Sequence, residues 1–547
     1  MKKTITILIL IIMTLTSCNS GGNDTDSSQK NQINKITFGA FFKSDRNPLS
    51  ITSSFNEPVN FLIYDGLYTL NEKLEPMENL AKEIEISNGG YDVNITIKPN
   101  ISFHDGSQFT SQDVVSTINF IISDGGYYAY NVRNIESATV ISTYNLRLRL
   151  KSPAPNIKMQ LTFPIICRKD LLNAPRTAKP SESPEGTDAP AETIEPTPSA
   201  RTFRLNGTGA YKIASETAGK QILLTKNLQY HTSFHSNAKE IEISLIPDRQ
   251  TARSLSASGI LDAFYAAFHD EGIKTVTKSE TTKSDYPTDE YTFLKFNQNN
   301  KLFEVKALRK AMSLAIDRTK IEQDIYISHA AEAYFPLIPN SWAYSGNKSL
   351  QRDISAAKKM LEELDWVDSN NNGTLEAQTS STSRELKLHL LTSDKPTKQS
   401  LAKMLAENLK EIGVDLEVTI VSEREFRQLY QSNNYDIYLV TTNVGYDLDL
   451  YQFLDEDGKF YFPTELDFDS YQTKLASTDK KEQKQPTYAK LCDDFYENMP
   501  HIPLLFLKNT MITSDKFKNL DATANIPPIY PIDVYYNLLR SNVDVKN

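Results

Sequence analysis

The segment from Tyr291 to Arg318 changes its hydrophobic period in the middle, and this change restricts the fold more than any other feature of the chain. Residues 291–296 are rich in aromatic and β-branched side chains, which is typical of a short strand. A polar turn follows, and from Glu304 onward apolar residues recur at helical spacing. Strand, turn and helix in this order predict an α/β fold. We interpret the segment as a crossing between two lobes that hold a ligand between them.

Later stretches support the same α/β architecture. A helix predicted over residues 401–412 ends at Gly413, and residues 414–420 then alternate between apolar and polar side chains as a strand does. The nearly continuous apolar runs at 435–441 and 502–507 predict two more strands, the first of them central in its sheet.

Composition limits the classes of partner. The 547-residue chain carries 69 acidic and 59 basic residues, a net charge of −10, and 39% of its residues are hydrophobic. These values are those of a globular protein with an ample core. An acidic chain argues against a nucleic-acid partner, because such a partner requires a basic face.

The first 18 residues form a leader and not part of the fold. Two lysines precede an apolar stretch of 11 residues, 5–15, which is too short to cross the roughly 30 Å core of a bilayer as a helix. The following Leu-Thr-Ser-Cys, which ends at Cys18, resembles a bacterial lipobox, in which the Cys becomes the lipidated first residue of the mature protein. The alternative is an ordinary secretory signal in which Cys18 is incidental.

Two segments lack the apolar residues that a packed structure needs. Residues 19–32 contain no large apolar side chain, and we interpret them as a flexible tether of roughly 20 Å. Residues 174–200 hold six of the 25 prolines, five acidic residues and one large apolar residue. Such a segment cannot offset its ordering entropy by burial, so we expect a disordered insertion within a domain. The alternative is a linker between two folded halves.

Short blocks in a fixed order along nearly the whole mature chain resemble the family 5 extracellular solute-binding proteins, the receptors of peptide- and nickel-type ABC importers. The matching blocks are Tyr64-Asp65-Gly66-Leu67, Pro76, Asn79-Leu80-Ala81, 97–113, 207–211, Lys226-Asn227, Tyr230, Phe296-Asn297, 307–318, 356–364 and 500–504.

The resemblance implies a two-lobed, type II (flytrap) α/β architecture with mixed sheets, in which the second lobe is inserted into the first. Lobe I would then comprise residues 33–290, with the insertion at 174–200. Lobe II would comprise residues 291–507, and residues 508–547 would return to lobe I.

The resemblance also implies a function. The protein would be a receptor of the bacterial cell envelope that faces the periplasm or the exterior. It would capture an oligopeptide by closure of its two lobes. The ligand would pass to an ABC permease and its ATPase subunits. We expect no cofactor, no metal, no nucleic acid and no catalytic residue, and a monomer that contacts the membrane only through its lipid anchor. Two alternatives stay open: the same fold with a metal chelate, haem or sugar as its ligand, and an anchored envelope enzyme.

Candidate ligand-binding residues come from a run in lobe II that peptide-binding members carry as G-W-x-x-D-Y-x-D-P. The corresponding run here is 445–449, with Tyr446 in place of Trp, shorter spacing and no Pro. Asp447 and Asp449 would face one side of an extended backbone, where they could pair with a buried peptide ammonium. Asn297, in the Phe-Asn block after the crossing strand, completes the set. The alternative is a solvated loop after a strand.

Three other motifs carry residues that catalysis or metal binding uses. The contiguous His-Asp-Gly-Ser at 104–107 cannot form a hydrolytic triad, since triad members come from separate segments. His231 and His235 are four apart but lack the adjacent Glu of a zinc helix. The loop at 368–379 has oxygen ligands at alternate positions but Thr in place of the final Glu of a calcium loop. We interpret all three as structural segments.

We predict that Cys18→Ala produces a folded protein that is no longer retained in the membrane, because its acyl chains supply the only stable anchor. The measurement is fractionation of cells that express wild type or the variant, followed by immunoblotting. Ser17→Ala is the matched control and should remain in the membrane fraction. Equal retention of the Cys18→Ala protein would refute the lipid anchor.

Overall fold

The computed structural model describes residues 35–41, 47–49, 61–71, 73–171, 204–232, 238–266, 281–344, 351–378 and 383–514. The leader with Cys18, the tether at 19–32, the insertion at 174–200 and residues 515–547 lie outside the described residues.

The described residues form 20 strands. They are β1 Lys35–Phe41, β2 Tyr68–Leu70, β3 Pro76–Glu78, β4 Ala81–Ser87, β5 Asp92–Ile97, β6 Ile135–Ser142, β7 Asn145–Leu150, β8 Tyr211–Thr217, β9 Gln221–Lys226, β10 Glu240–Ile246, β11 Ala263–Ala266, β12 Thr281–Phe296, β13 Ala330–Glu332, β14 Trp366–Val367, β15 Glu376–Gln378, β16 Ser383–Glu385, β17 Lys387–Ser393, β18 Asp415–Val421, β19 Ile437–Asn443 and β20 His501–Ser514.

Helices connect and cover these strands. The α-helices of the described residues are Ser111–Asp124, Ala129–Val132, Ile157–Gln160, Arg168–Leu171, Arg249–Ala257, Lys306–Ala315, Arg318–Lys320, Ile354–Glu362, Pro396–Lys410, Glu423–Ser432, Tyr451–Leu454, Phe468–Ala476 and Lys481–Asn498.

Eleven of the described strands form one mixed sheet. Its order is β18-β17-β19-β12-β20-β11-β1-β10-β9-β8, and β13 pairs with β20 beside this path. The strands on the β18 side come from residues 387–443, whereas those on the β8 side come from residues 35–266. A separate four-stranded sheet, in the order β4-β5-β7-β6, packs with the helix Ser111–Asp124.

The centre of the large sheet is the antiparallel pair β12 and β20. Their register extends from the Thr281–Ser514 pair to the Lys295–His501 pair, with irregularities near Pro287 and Thr292. The strand predicted at 291–296 is therefore confirmed but begins ten residues earlier, at Thr281. Both strands continue across the lobe boundaries proposed at 290/291 and 507/508, which stay predictions.

The predicted unit of helix, glycine stop and strand is also confirmed. The helix Pro396–Lys410 buries Leu401, Leu405 and Leu409, and Gly413 turns the chain with a φ of 81° before β18. Both β18 and β19 run parallel to β17, as helical crossovers require.

Two large hydrophobic clusters flank β12. Phe293 belongs to a cluster that contains most of the core from residues 36–243, while Leu294 and Phe296 belong to a cluster formed mainly by residues 303–507. Since successive side chains of a strand point to opposite faces, β12 contributes to both cores at once. Among the described residues, no helix combines the length and apolarity needed to cross a membrane.

His501, the first residue of β20, joins the two long strands to the helices beside them. It is fully buried, its Nε2 lies 2.9 Å from the hydroxyl of Tyr291, and its Nδ1 has no hydrogen-bond partner among the described residues. The rings of Phe293, Phe495 and Phe453 lie 4.8, 5.0 and 5.4 Å from its imidazole. Burial in these aromatic surroundings lowers the pKa of His501 to about 3.

We predict an acid sensitivity that depends on His501. Below a pKa of about 6.5 the unfolded chain takes up a proton on this side chain while the folded protein does not, so stability falls as the pH decreases toward 3. Between pH 7 and pH 5 this residue should account for about 2 kcal/mol of lost stability. Urea unfolding of wild type and His501→Gln at both pH values measures the difference.

The comparison of wild type with His501→Gln at each pH isolates the contribution of His501, since every other titratable group is the same in both proteins. A His501→Gln protein that lost as much stability as wild type between the two pH values would contradict the prediction.

Candidate ligand-binding cleft

The segment that follows β19 turns sharply because two of its residues have left-handed backbone conformations. Gly445 has a φ of 78° and Leu448 a φ of 56°, and the short helix Tyr451–Leu454 comes next. The turn is held against β12, where the Val444 amide donates to the Asp289 carbonyl oxygen at 2.9 Å. The Asn443 side-chain amide also donates to Oδ1 of Asp289, at 2.8 Å.

A cavity of about 500 Å³ opens beside this turn. Its lining residues come from both proposed lobes: Phe61, Tyr127, Tyr128, Tyr130, Asn131, Met159, Thr162, Thr288, Asp289, Glu290, Thr442, Asn443, Gly445, Tyr446, Asp447, Gln452 and Asn509. Thr442 and Asn443 form the carboxyl end of β19, the edge at which α/β sheets bind ligands. We call this space the acidic cavity, after Asp289, Glu290 and Asp447.

The acidic cavity has three carboxylates and no Lys, Arg or His among the described residues that line it. Burial raises the pKa of Asp289 to about 6, although the bond from Asn443 acts in the opposite direction. Burial likewise raises the pKa of Glu290, against the effect of Lys395. This concentration of negative charge in a confined space favours a ligand that carries a positive charge.

Arg133 lies behind the cavity and bridges the two sides of the cleft. Its Nη2 donates to Oδ2 of Asp449, and its Nη1 lies 3.4 Å from Oδ2 of Asp447. The guanidinium stacks 3.6 Å from the ring centre of Tyr130. Asp449 also accepts the Tyr451 amide at 2.9 Å, so its carboxylate is engaged on both oxygens.

Asp447 is bound less tightly than Asp449, although it is more deeply buried. Its side chain is 5% exposed, and its contacts with Arg133, Gln160 and the Asp449 amide measure 3.4, 3.5 and 3.4 Å. All three lie at or beyond the upper limit of a normal hydrogen bond. Burial raises the pKa of Asp447 to about 6, which Arg133 opposes. Among the described residues, the carboxylate that faces the cavity therefore has no partner within the usual hydrogen-bond distance.

The sequence from residue 75 to residue 458 matches the model of the bacterial extracellular solute-binding proteins, family 5 Middle. This is more than two thirds of the 547 residues. The chain belongs to this family.

Known proteins are similar to this family member along most of its length. The oligopeptide-binding protein AppA of Bacillus subtilis strain 168 is 25% identical over 448 residues, which cover 79% of this chain and 78% of that protein. The structure of Bacillus subtilis AppA in complex with a nonapeptide has a TM-score of 0.58 at 21% identity, with 91% and 98% of the two chains covered. NikZ of Campylobacter jejuni in complex with Ni(L-His) has a TM-score of 0.61 at 21% identity, with 92% and 99% covered. The predicted two-lobed α/β architecture with mixed sheets is confirmed.

The four predicted ligand-binding residues of this solute-binding protein occupy different surroundings. Tyr446 and Asp447 line the acidic cavity, whereas Asp449 pairs with Arg133 behind it. Asn297 is not among the lining residues. Its side-chain amide donates to the carbonyl oxygens of Asn433 and Tyr435, at 2.8 and 2.7 Å, and so secures the end of β12. Contact of any of the four with a ligand stays a prediction.

Sequence reasoning missed Arg133, Asp289 and Glu290. Asp289 and Glu290 directly precede the predicted crossing strand, and their position beside Tyr291 was a usable signal. Arg133 follows an aromatic run at 127–130, but no spacing relates it to Asp449, 316 residues away along the chain.

The motifs considered for catalysis and metal binding have structural partners. Nε2 of His104 lies 2.9 Å from the Gly209 carbonyl oxygen, and Nε2 of His231 lies 3.2 Å from Asp65 Oδ2. In the loop at 368–376, Asp368 accepts backbone amides and Glu376 accepts the Ser369 hydroxyl. His235 and Thr379 lie outside the described residues. Among the described residues, no three His, Cys, Asp or Glu side chains converge as a metal site requires.

We predict that Arg133→Met destabilises the free protein by about 3 kcal/mol, because it leaves two buried carboxylates without a cation. Lys310→Met is the control: its partner Glu497 is 56% exposed, so the loss should stay within about 1 kcal/mol. Chemical denaturation of the three proteins measures both values. The double variant with Asp449→Asn should recover part of the loss, and an Arg133→Met protein as stable as Lys310→Met would contradict the prediction.

Proposed function

We propose that this solute-binding protein is a lipid-anchored receptor that captures an oligopeptide between its lobes and delivers it to an ABC permease and its ATPase subunits. Its family membership supports the receptor role, and its similarity to oligopeptide-binding relatives supports the ligand class. The leader that ends at Cys18 supports the anchor.

The observation that carries the proposal is the acidic cavity between the proposed lobes. A free peptide has an ammonium group at its first residue. That group is attracted to a cavity whose described lining contains three carboxylates and no basic side chain. Five of the lining side chains are aromatic and a sixth is a methionine. Such large, adaptable surfaces suit peptide side chains of varied sequence. The six residues are Phe61, Tyr127, Tyr128, Tyr130, Met159 and Tyr446.

Within this cavity Asp447 receives the ammonium, and Asp449 has a different role. Asp447 faces the cavity with contacts of 3.4 Å or longer, so a ligand N–H group can replace them with shorter bonds. Asp449 holds Arg133, whose guanidinium limits the repulsion between the two neighbouring carboxylates. The pair thus comprises one ligand-binding carboxylate and one that positions the arginine.

Capture proceeds by closure about the long strands. The ligand first binds one lobe, and movement of the other lobe then buries it and brings the two sides of the acidic cavity together. The pairing of β12 with β20 is irregular near Pro287 and Thr292, on either side of Asp289 and Glu290. Regular strand pairing is therefore interrupted beside the proposed ligand, where the two lobes would move. The closed form docks on the permease.

A second candidate ligand is a cationic solute other than a peptide. The similarity to NikZ, whose structure contains Ni(L-His), favours this alternative at the level of the fold. Calorimetry with a set of amines and metal chelates alongside peptides separates the two ligand classes.

We predict that tetraalanine with a free amino group binds the mature protein at least 100-fold more tightly than its N-acetyl derivative, and that Asp447→Asn abolishes the difference. Removal of one partner of a buried ion pair costs roughly 3–5 kcal/mol, which exceeds a factor of 100. The preference should also decrease below about pH 6, since protonation of Asp447 removes the charge that the ammonium needs. Titration calorimetry from pH 5 to pH 8 measures all three effects.

Asp457→Asn is the matched control, an exposed Asp on the next turn, and it should bind both peptides as wild type does. If Asp447→Asn binds within threefold of wild type, the ammonium is bound elsewhere. If neither peptide binds and an amine or chelate does, the oligopeptide assignment is wrong.

A further inference from the structure

A second cavity, of about 220 Å³, lies on the other side of Asn156 from the turn that contains Asp447. Its lining residues again come from both proposed lobes, from 75–159 on one side and from Trp342 and 476–484 on the other. Three lysines line it, and we call it the lysine cavity after Lys158, Lys481 and Lys484.

Two of these lysines have carboxylate partners in the cavity wall. Nζ of Lys158 lies 3.1 Å from Oδ2 of Asp479, and Nζ of Lys481 pairs with Oε1 of Glu75. Each of these two pairs is neutral by itself. Among the described lining residues, the third lysine therefore decides the net charge of the cavity.

Lys484 has no carboxylate within 4 Å among the described residues, although it is only 6% exposed. Its ammonium donates to neutral oxygens, the Asn156 Oδ1 at 3.2 Å and the Pro155 carbonyl. Burial lowers the pKa of Lys484 to about 8, although the charge of Asp479 acts in the opposite direction. A buried cation that donates to neutral oxygens, with the nearby carboxylates already paired to other lysines, is destabilising unless an anion joins it.

The backbone adds positive charge at the same place. Lys481 and Lys484 lie in the first turn of the 18-residue helix Lys481–Asn498, whose N-terminus has no side-chain cap. Cations are unfavourable at this end of a helix, and anions are favoured there. A second donor is available nearby: the indole Nε1–H of Trp342, a cavity-lining side chain, has no hydrogen-bond partner among the described residues.

We propose that the lysine cavity binds a carboxylate group, with Lys484 as its cation, and that this carboxylate is the end of the ligand opposite to the ammonium in the acidic cavity. The second half of this inference rests on the proposed function. Met159 lines both cavities, and Asn156 contacts Lys484 with its side-chain oxygen and the Asp447 carbonyl with its side-chain nitrogen, at 3.2 and 2.9 Å. The two sites are therefore neighbours of opposite charge.

The size of the lysine cavity suits the proposed group. A cavity of about 220 Å³ holds several times the volume that one water molecule needs, so a terminal carboxylate with part of its residue fits in this space.

Titration calorimetry with tetraalanine and its C-terminal amide tests the proposal on the mature protein. Wild type should bind the acid at least tenfold more tightly than the amide. In Lys484→Met this difference should disappear, because the apolar side chain keeps the length but removes the charge. Lys480→Met removes an exposed charge one residue before the same helix and should preserve the difference.

Two further measurements keep the result decisive. Sodium acetate, titrated against the thermal midpoint, should stabilise wild type and Lys480→Met but not Lys484→Met. Trp342→Phe, which keeps an aromatic ring but removes the N–H, should reduce the preference for the acid without abolishing it.

Each outcome bears on a different claim. Equal affinity for acid and amide together with stabilisation by acetate would overturn the assignment to the ligand and leave a site for a free anion. No discrimination and no effect of acetate would overturn the site altogether. If tetraalanine fails to bind in either form, the proposed function fails, while the acetate titration still decides whether Lys484 binds an anion.

Discussion

The antiparallel pairing of β12 with β20 is the constraint on which the other contacts depend. The two strands come from segments about 200 residues apart, and their register places strands of residues 387–443 on one side and strands of residues 35–266 on the other. Because β12 is buried on both faces, it joins two hydrophobic cores that would otherwise be separate. His501 and Tyr291 link the two strands where the cores meet, inside aromatic surroundings that exclude water.

The cleft derives its chemistry from this arrangement. Asp289 and Glu290 directly precede Tyr291 in β12. The pairing of β12 with β19 sets Glu290 opposite Asn443, which lies at the carboxyl end of β19. The turn after β19 then brings Asp447 into the same space and Asp449 against Arg133. On the far side of Asn156 the charge is reversed, since the N-terminus of a long helix carries Lys481 and Lys484. Neighbouring sites of opposite charge suit a ligand with opposite charges at its two ends.

The candidate site could be predicted from the sequence only where its residues are local. Tyr446 and Asp447 were found because they follow a recognisable strand within a family-like run, and both line the cavity. Arg133 and Lys484 had no such signal. Arg133 directly follows the short helix Ala129–Val132. Lys484 lies in the helix Lys481–Asn498, which is rich in charged residues and in which a lysine is ordinarily exposed. Their importance comes from burial and from partners hundreds of residues away, which no local pattern encodes.

The sequence by itself determined two elements of this protein: the strand at 291–296 and the unit of helix, glycine and strand around Gly413. These follow from hydrophobic period and turn chemistry, which act over a few residues. Only the tertiary structure decided which charges meet. Asp447 and Asp449 are two residues apart and both contact Arg133, yet only Asp447 also lines the acidic cavity. Leu448 between them has a left-handed backbone, so the extended backbone that the sequence suggested is not formed.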